Sequence, residues 1–252
     1  MLLSNKTAVI TGGASGIGLA TAEELLKCGV SKILLLDLGT TLNSAQETHL
    51  KAHNPNATVF YAQCDVTNKT RLETILRQDA IQWLGSIDIL VNSAGIFDND
   101  PARCIGTNLI GLVDCTFIAV DLMSKTKSGN GGVVVNISSI AGLEPSPLCA
   151  VYGASKFGVT GFTRCLGSEA LYNETGVKVV AICPGATNTN ILNAALSDAA
   201  ALKMLEKMTV QEPSVVAKCV VKVITEGETG SVWVASDNKI AQVHFEANKF
   251  LT

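Results

Sequence analysis

The stretch AVITGGASGIGLATAEELL, Ala8 to Leu26, decides how this chain folds. It opens with a short apolar run, passes through a cluster of glycines and continues as an amphipathic, helix-forming sequence. Gly12, Gly16 and Gly18 spell T-G-x-x-x-G-x-G, with Ser15 and Ile17 between them. Glycine permits a sharp turn and a close backbone approach, and a helix N-terminus directly after it attracts an anion. A strand, a glycine turn and a helix in that order are the first half of a β-α-β unit.

Working outward, the same alternation repeats along the chain. TAVIT, KILLLD, TVFYA, IDILVNSA, GVVVNIS, VKVVAIC and SVWVAS read as strands. KILLLD, IDILVN and GVVVNI are apolar at every position that two buried faces would need, as parallel strands covered by helices require. The last helix-length segment, EPSVVAKCVVKVITEG, has Pro213 in its first turn and Gly227 at its stop. Its Val216, Cys219, Val220, Val223 and Ile224 form one stripe at spacings of three and four. The expected fold is α/β: one doubly wound Rossmann domain over residues 1–252, with a mostly parallel seven-stranded sheet and helices on both faces.

In such a fold the strand ends after the glycine turn become candidate ligand positions. Asp37 ends the second strand, 19 residues after Gly18, where it would accept bonds from the ribose hydroxyls of a dinucleotide. A carboxylate there repels a 2′-phosphate, and no Lys or Arg stands in the glycine loop or just after Asp37. NAD is therefore expected over NADP. Asp65 and Val66 end the third strand and suit the adenine; Asn92, Ala94 and Gly95 end the fourth in a small-residue turn.

Composition removes other classes. Hydrophobic residues make up 47% and charged residues 16%, with a net charge of −3. No basic run is available to neutralise phosphates, so nucleic acid is not expected as a partner. The start, MLLSNKTAVITGG, lacks the pattern of a signal peptide, and no stretch is expected to reach the ~20 apolar residues of a membrane span. Eight cysteines lie far apart without a C-x-x-C pair, which suggests free thiols in a reducing, cytoplasmic setting. Five glycosylation sequons, at Asn5, Asn56, Asn68, Asn136 and Asn173, are expected to be silent for want of a secretion signal, and Asn136 also lies inside an apolar strand. His49 and His53 are four apart, but the sequence offers no evident third ligand, and a solvated helix face is expected rather than a metal.

YGASK, Tyr152 to Lys156, places a phenol and an ammonium one helical turn apart. Alone, that spacing is an ordinary helix-surface pair. Here it follows NISS, and these motifs together resemble the short-chain dehydrogenase/reductase family in its classical branch. The resemblance runs from TGGASGIG through DV, NSAG, Asn108, NISS and YGASK to PGATNT. More narrowly, the segments around YGASKFGVTGFTR and ICPGATNTNIL look like NAD-dependent 15-hydroxyprostaglandin dehydrogenases and the insect alcohol dehydrogenases.

The resemblance implies a catalytic Ser139, 13 residues before Tyr152, with Ser138 as the neighbouring alternative. It implies Tyr152 as the base, Lys156 as its cation and ribose ligand, and Asn108 as holder of a relay water. Pro184, Gly185, Thr187 and Thr189 would bind the nicotinamide carboxamide. Cys149 stands where the prostaglandin enzymes carry a glutamine facing substrate, which suggests an apolar alcohol. A substrate loop is expected at about residues 187–212, with Met204 and Met208 as candidate lid residues, and a tail at about 238–252 that covers the pocket or reaches a neighbour. Family members dimerise or form tetramers through helices that correspond to Cys104–Lys125 and Val151–Tyr172, so a homodimer is expected, with a homotetramer as the larger alternative. An NADPH-dependent carbonyl reductase and a non-catalytic NAD-binding protein are the competing functions.

The phenol must also be tuned. Lowering a tyrosine from about 10 to near 7 takes ~4 kcal/mol, which one cation at ~4 Å supplies in an effective dielectric of ~20. Lys156 is expected to be that cation, and the positive nicotinamide ring of a bound NAD to add to it.

Overall fold

A computed structural model describes residues 2–145, 149–196, 202 and 208–245. Its sheet has the strand order β3-β2-β1-β4-β5-β6-β7-β8. The strands are β1 (Thr7–Thr11), β2 (Lys32–Asp37), β3 (Thr58–Gln63), β4 (Ile89–Asn92), β5 (Gly132–Ile137), β6 (Val177–Pro184), β7 (Val232–Ser236) and β8 (Lys239–Val243). The first seven pair in parallel. The expected seven-stranded sheet thus gains an eighth strand, because β7 turns back through Asp237 and Asn238 and pairs antiparallel with β8. Both turn residues have positive φ, 51° and 59°, a conformation that Asp and Asn tolerate and that closes a two-residue hairpin. The start of the expected tail is therefore an edge strand; residues 246–252 lie outside the described residues. Phe245, just beyond it, packs under the Arg164 guanidinium at 3.7 Å.

The apolar runs become central strands because both sheet faces are covered. On one face, Ile10, Ile33, Leu35 and Val91 pack against Leu25 of α1 (Gly16–Lys27) and Val220 of the helix Pro213–Glu226. On the other, Val9, Leu34 and Val134 pack against Leu72, Leu76 and Ala119. Burying a large aliphatic side chain contributes roughly 1.5–3 kcal/mol, so these two layers account for the sheet's strand choice.

Contrary to the expectation that no stretch reaches that length, one helical stretch, Pro101–Met123, is long and apolar enough to cross a membrane, but it carries Asp114 and Asp121 and is close to half buried within the fold. Lys69 meets the Asp114 carboxylate at 2.8 Å, and Arg77 meets Asp121 at 2.7 Å. Its length and apolarity serve the second core layer, where Cys115, Ile118 and Ala119 are buried. Among the described residues all eight cysteines are free, and Asn136 is fully buried in β5.

β1 has β2 on one side and β4 on the other, so the chain reverses direction of winding between β1 and β4. Crevices at the carboxyl ends of strands beside such a switch are where open α/β sheets bind ligands. The glycine turn after β1 lies there.

Candidate active site

A cavity of about 720 Å³ runs along these strand ends, from Asp37 and Leu38 at one end to Tyr152 and Met208 at the other. Its first part is the glycine turn. Gly12 has φ +64° and Gly16 φ +50°, a left-handed region that favours glycine. A Cβ on Gly12 would stand 2.9 Å from the Ala94 backbone, and one on Gly18 only 2.1 Å from the Gly12 carbonyl oxygen. Gly12, Ser15, Gly16 and Ile17 line the cavity; Gly18 does not, and instead allows the first turn of α1 to close against the loop.

Asp37 holds the next position. Its carboxylate accepts the backbone N–H of Ala14 at 2.9 Å and of Leu38 at 2.8 Å, which fixes it beside the glycine turn. Asp65 accepts from the backbone N–H and the hydroxyl of Thr67, an Asx turn that shapes the loop after β3. Asp65, Val66, Ala94 and Gly95 all border the cavity. Asn92 does not line it. Its side chain points into the core, where the amide nitrogen donates to Thr116 Oγ1 and Asn136 Oδ1, each at 2.9 Å. The sequence could not separate these, because a strand's last side chain faces either the cleft or the core according to register.

The polar end gathers residues from three elements. Ser139 follows β5, and its Oγ accepts the Ala141 backbone N–H at 3.2 Å. Ser138 faces the other way: its hydroxyl donates to the Lys156 carbonyl oxygen and bonds Thr160, each at 2.9 Å. That contact distinguishes the two serines, since only Ser139 is hydrogen-bonded to the Tyr152 phenol. Tyr152 and Lys156 lie on the helix Ala150–Leu166, one turn apart, with the ammonium 5.7 Å from the ring centroid. Phe97 packs on the same ring at 5.3 Å between centroids. Cys149, at the helix N-cap, is buried and borders the cavity.

Burial sets the acid–base character of this group. It pushes the Tyr152 phenol up to about 12, against the lowering effect of the Ser139 hydrogen bond. It draws the Lys156 ammonium down to about 8. Desolvation is the largest cause for both groups and moves each away from its ionised form. Lys156 is 3% exposed and donates to the Ile137 carbonyl oxygen at 3.0 Å. An ammonium carries three donors, so further acceptors are needed on the cavity side.

Asn108 sits in a π-helical segment, Gly106–Gly111, a local widening often found at functional sites. Its amide accepts the Ile96 backbone N–H at 2.8 Å and donates to the Ile96 carbonyl at 2.9 Å and to Ser155 Oγ at 3.1 Å. It pins the loop after β4 beside Lys156 rather than opening directly into the cavity. A Cβ on Gly95 would come 3.3 Å from Asn108 Oδ1 and 3.6 Å from Lys156 Nζ, so the three meet at one point.

Pro184, Gly185, Thr187 and Thr189 border the cavity. Gln211 was not legible in the sequence. It is buried, donates to the Ala235 carbonyl at 2.6 Å and to Thr187 Oγ1 at 3.3 Å, and pairs its backbone with Ala186 and Asn188. Both ends of the expected substrate loop are thereby tied together. Ile96, Phe97, Ile191 and Leu192 also line the cavity without having been singled out; Met208 does as well, and Met204 lies outside the described residues.

The donor set, a glycine cradle followed by a buried ammonium and small-residue strand ends, fits an extended anionic ligand carrying hydroxyls. Comparison with known proteins agrees. Residues 6–200 match the family model described as short chain dehydrogenase. The chain is similar to alcohol dehydrogenase 2 of Ceratitis cosyra, 36% identical over 251 residues and 96% of each chain. It is also similar to 15-hydroxyprostaglandin dehydrogenase (NAD(+)) of Homo sapiens, 38% identical over 196 residues, covering 76% of this chain and 72% of that one. Among solved structures, levodione reductase superposes with a TM-score of 0.82 at 24% identity, covering 92% of this chain and 96% of the other, which bears on the fold alone. On the match over residues 6–200 and the full-length likeness to an insect alcohol dehydrogenase, the chain belongs to the short chain dehydrogenase family of oxidoreductases.

Proposed function

We propose that this oxidoreductase uses NAD to oxidise a secondary or lipid-like alcohol to its carbonyl, with Tyr152 as the base. The observation that carries the reading is the Ser139–Tyr152–Lys156 group at the inner end of a cavity that begins at a glycine cradle. Gly12, Ser15, Gly16 and Ile17 would hold the pyrophosphate, Asp37 the adenosine ribose, Lys156 the other ribose, and Thr187 and Thr189 the carboxamide. When bound, the oxidised nicotinamide supplies the hydride acceptor and one positive charge beside the phenol. Tyr152 takes the proton of the substrate hydroxyl. Ser139 donates to the same oxygen as it becomes a carbonyl. Lys156 steadies the phenolate, and Asn108 holds the polypeptide around that ammonium in place for a water-mediated exit of the proton. Phe97, Cys149, Ile191, Leu192 and Met208 surround the alcohol with mainly apolar groups, which favours a lipid-like substrate.

Asp37 supports NAD over NADP. Its carboxylate would face a 2′-phosphate at contact distance, a like-charge pair worth a few kcal/mol at an intermediate dielectric. With any alcohol substrate, kcat/KM with NAD is expected to exceed that with NADP by about 100-fold, and Asp37→Ala to close most of that gap. A preference for NADP in the unaltered chain would instead favour a carbonyl reductase.

The cysteines support a reducing, cytoplasmic compartment, since all eight are free and six are buried. A homodimer is supported by one apolar face. Ile110, Phe117 and Phe157 are 55%, 52% and 41% exposed on the two helical stretches named above, and Phe117 meets Phe162 edge-on at 5.6 Å between centroids. Gly161 beside them leaves open space for close approach. Sedimentation is expected to give a dimer that Phe117→Glu dissociates; a monomer in both cases would remove this face as an interface.

A further inference from the structure

We propose that Glu23, His49 and His53 form a surface site for a zinc-class divalent transition-metal ion, away from the catalytic cavity. Glu23 lies on α1, and both histidines lie on α2 (Ser44–His53). In sequence the third group is 26 residues from His49 and cannot be read as part of one motif. The fold brings it in, because α1 and α2 pack side by side, with Leu50 of α2 buried in the same core layer as Leu25 and Leu26 of α1. The expectation that the histidines lack a third ligand is thereby corrected.

The geometry suits a tetrahedral ion. The two Nε2 atoms are 3.4 Å apart. His49 Nε2 stands 3.1 Å from Glu23 Oε1, and His53 Nε2 stands 3.9 Å from Glu23 Oε2. Zinc bonds to imidazole nitrogen and carboxylate oxygen are ~2.0–2.2 Å, and a regular tetrahedron of that size has edges of roughly 3.3–3.6 Å. The Nε2–Nε2 edge already has that length, and one ligand atom from each of the three residues lies within 4.8 Å of the others, so a small rotation of the Glu23 carboxylate would bring a single oxygen to both histidines. The rings meet edge to face, at 81° with centroids 4.8 Å apart, so their nitrogens converge while the rings do not clash. Imidazole and carboxylate together suit zinc, nickel or copper rather than magnesium or calcium, which take oxygen-rich sets. His49 is half exposed, which leaves an entry path and a fourth position for water.

Such an ion would clamp two helices that both touch the glycine turn. α1 starts in it, and Gln46 at the start of α2 donates to the Ala14 carbonyl oxygen at 2.6 Å. The same three groups could instead form a plain imidazolium–carboxylate pair, and metal titration separates the two.

The test uses the full chain, stripped with chelator, under thiol-free buffer. Calorimetric titration with Zn²⁺ is expected to show a saturable equivalent per chain, and zinc at 100-fold above Kd to raise the melting midpoint by roughly 5–10 °C. Mg²⁺ is expected to do neither. His49→Gln/His53→Gln must melt near the unaltered chain without metal and lose the zinc-induced rise; Cys165→Ser, at the exposed thiol, must retain it. With Co²⁺ as the probe, a nitrogen–oxygen site gives d–d absorption without sulfur charge transfer. Absence of binding, equal binding by the double-histidine variant, or a sulfur charge-transfer band would each overturn the proposal.

Discussion

Tyr152→Phe is expected to lower kcat for alcohol oxidation by about 10³-fold or more while leaving NAD affinity within a few-fold. The substitution removes one oxygen and keeps the ring that packs on Phe97. General-base catalysis contributes roughly 10²–10⁴-fold, and here the same oxygen also accepts the Ser139 hydrogen bond that orders the site. A loss confined to kcat, with the melting midpoint preserved, places Tyr152 at the reacting atoms. The measurement is steady-state kinetics paired with a binding titration of NAD. Near-normal turnover in this variant would exclude the tyrosine as base.

Lys156→Met is expected to be the second large loss, and of a different kind. Methionine approximates the length of the lysine stem but carries no charge, so it removes the cation beside the phenol and, with it, the donor proposed for the ribose. kcat/KM is therefore expected to fall by about 10³-fold, divided between a raised KM for NAD and a lowered kcat. Stability should move the other way. Burial draws the Lys156 ammonium down to about 8, so the folded state disfavours its charge. Below that pH the buried charge costs stability, and the cost is relieved as pH rises from about 8 towards 10.5, where the unfolded lysine also loses its proton. The methionine variant has no such cost, and its melting midpoint at neutral pH should equal or exceed that of the unaltered chain. An inactive variant that also melts much earlier would point to a packing role instead.

The parallel core was legible because KILLLD, IDILVN and GVVVNI carry no polar face, and only a sheet covered on both sides accommodates that. The glycine turn was legible because positive φ and close approach leave a residue type as their trace. β8 was missed because KIAQV is a short edge strand with little burial, so its sequence carries almost no alternation; pairing with β7 alone makes it a strand. Asn92 was placed at the cleft by its strand-end position, but its amide turns inward to Thr116 and Asn136, a choice made by side-chain packing. Gln211 and Glu23 escaped because each acts across a long sequence interval on a partner that only the fold supplies. The balance between Tyr152 and Lys156 was also not legible: spacing gives proximity, whereas desolvation depends on everything packed around the pair.

That balance is the centre of the account, and it can be read without turnover. The chain has three tyrosines, so the phenolate signal of Tyr152 is obtained by subtracting Tyr152→Phe from the unaltered chain. With the phenol up at about 12, almost none of it is ionised near pH 7.5, where Lys156, down at about 8, still keeps most of its proton. Adding saturating NAD at that pH should bring a measurable share of Tyr152 into its phenolate form, seen as new tyrosinate absorption in the ultraviolet difference spectrum and absent from Tyr152→Phe. A spectrum that shows no tyrosinate on saturation, or the same one in both proteins, would contradict Tyr152 as the base.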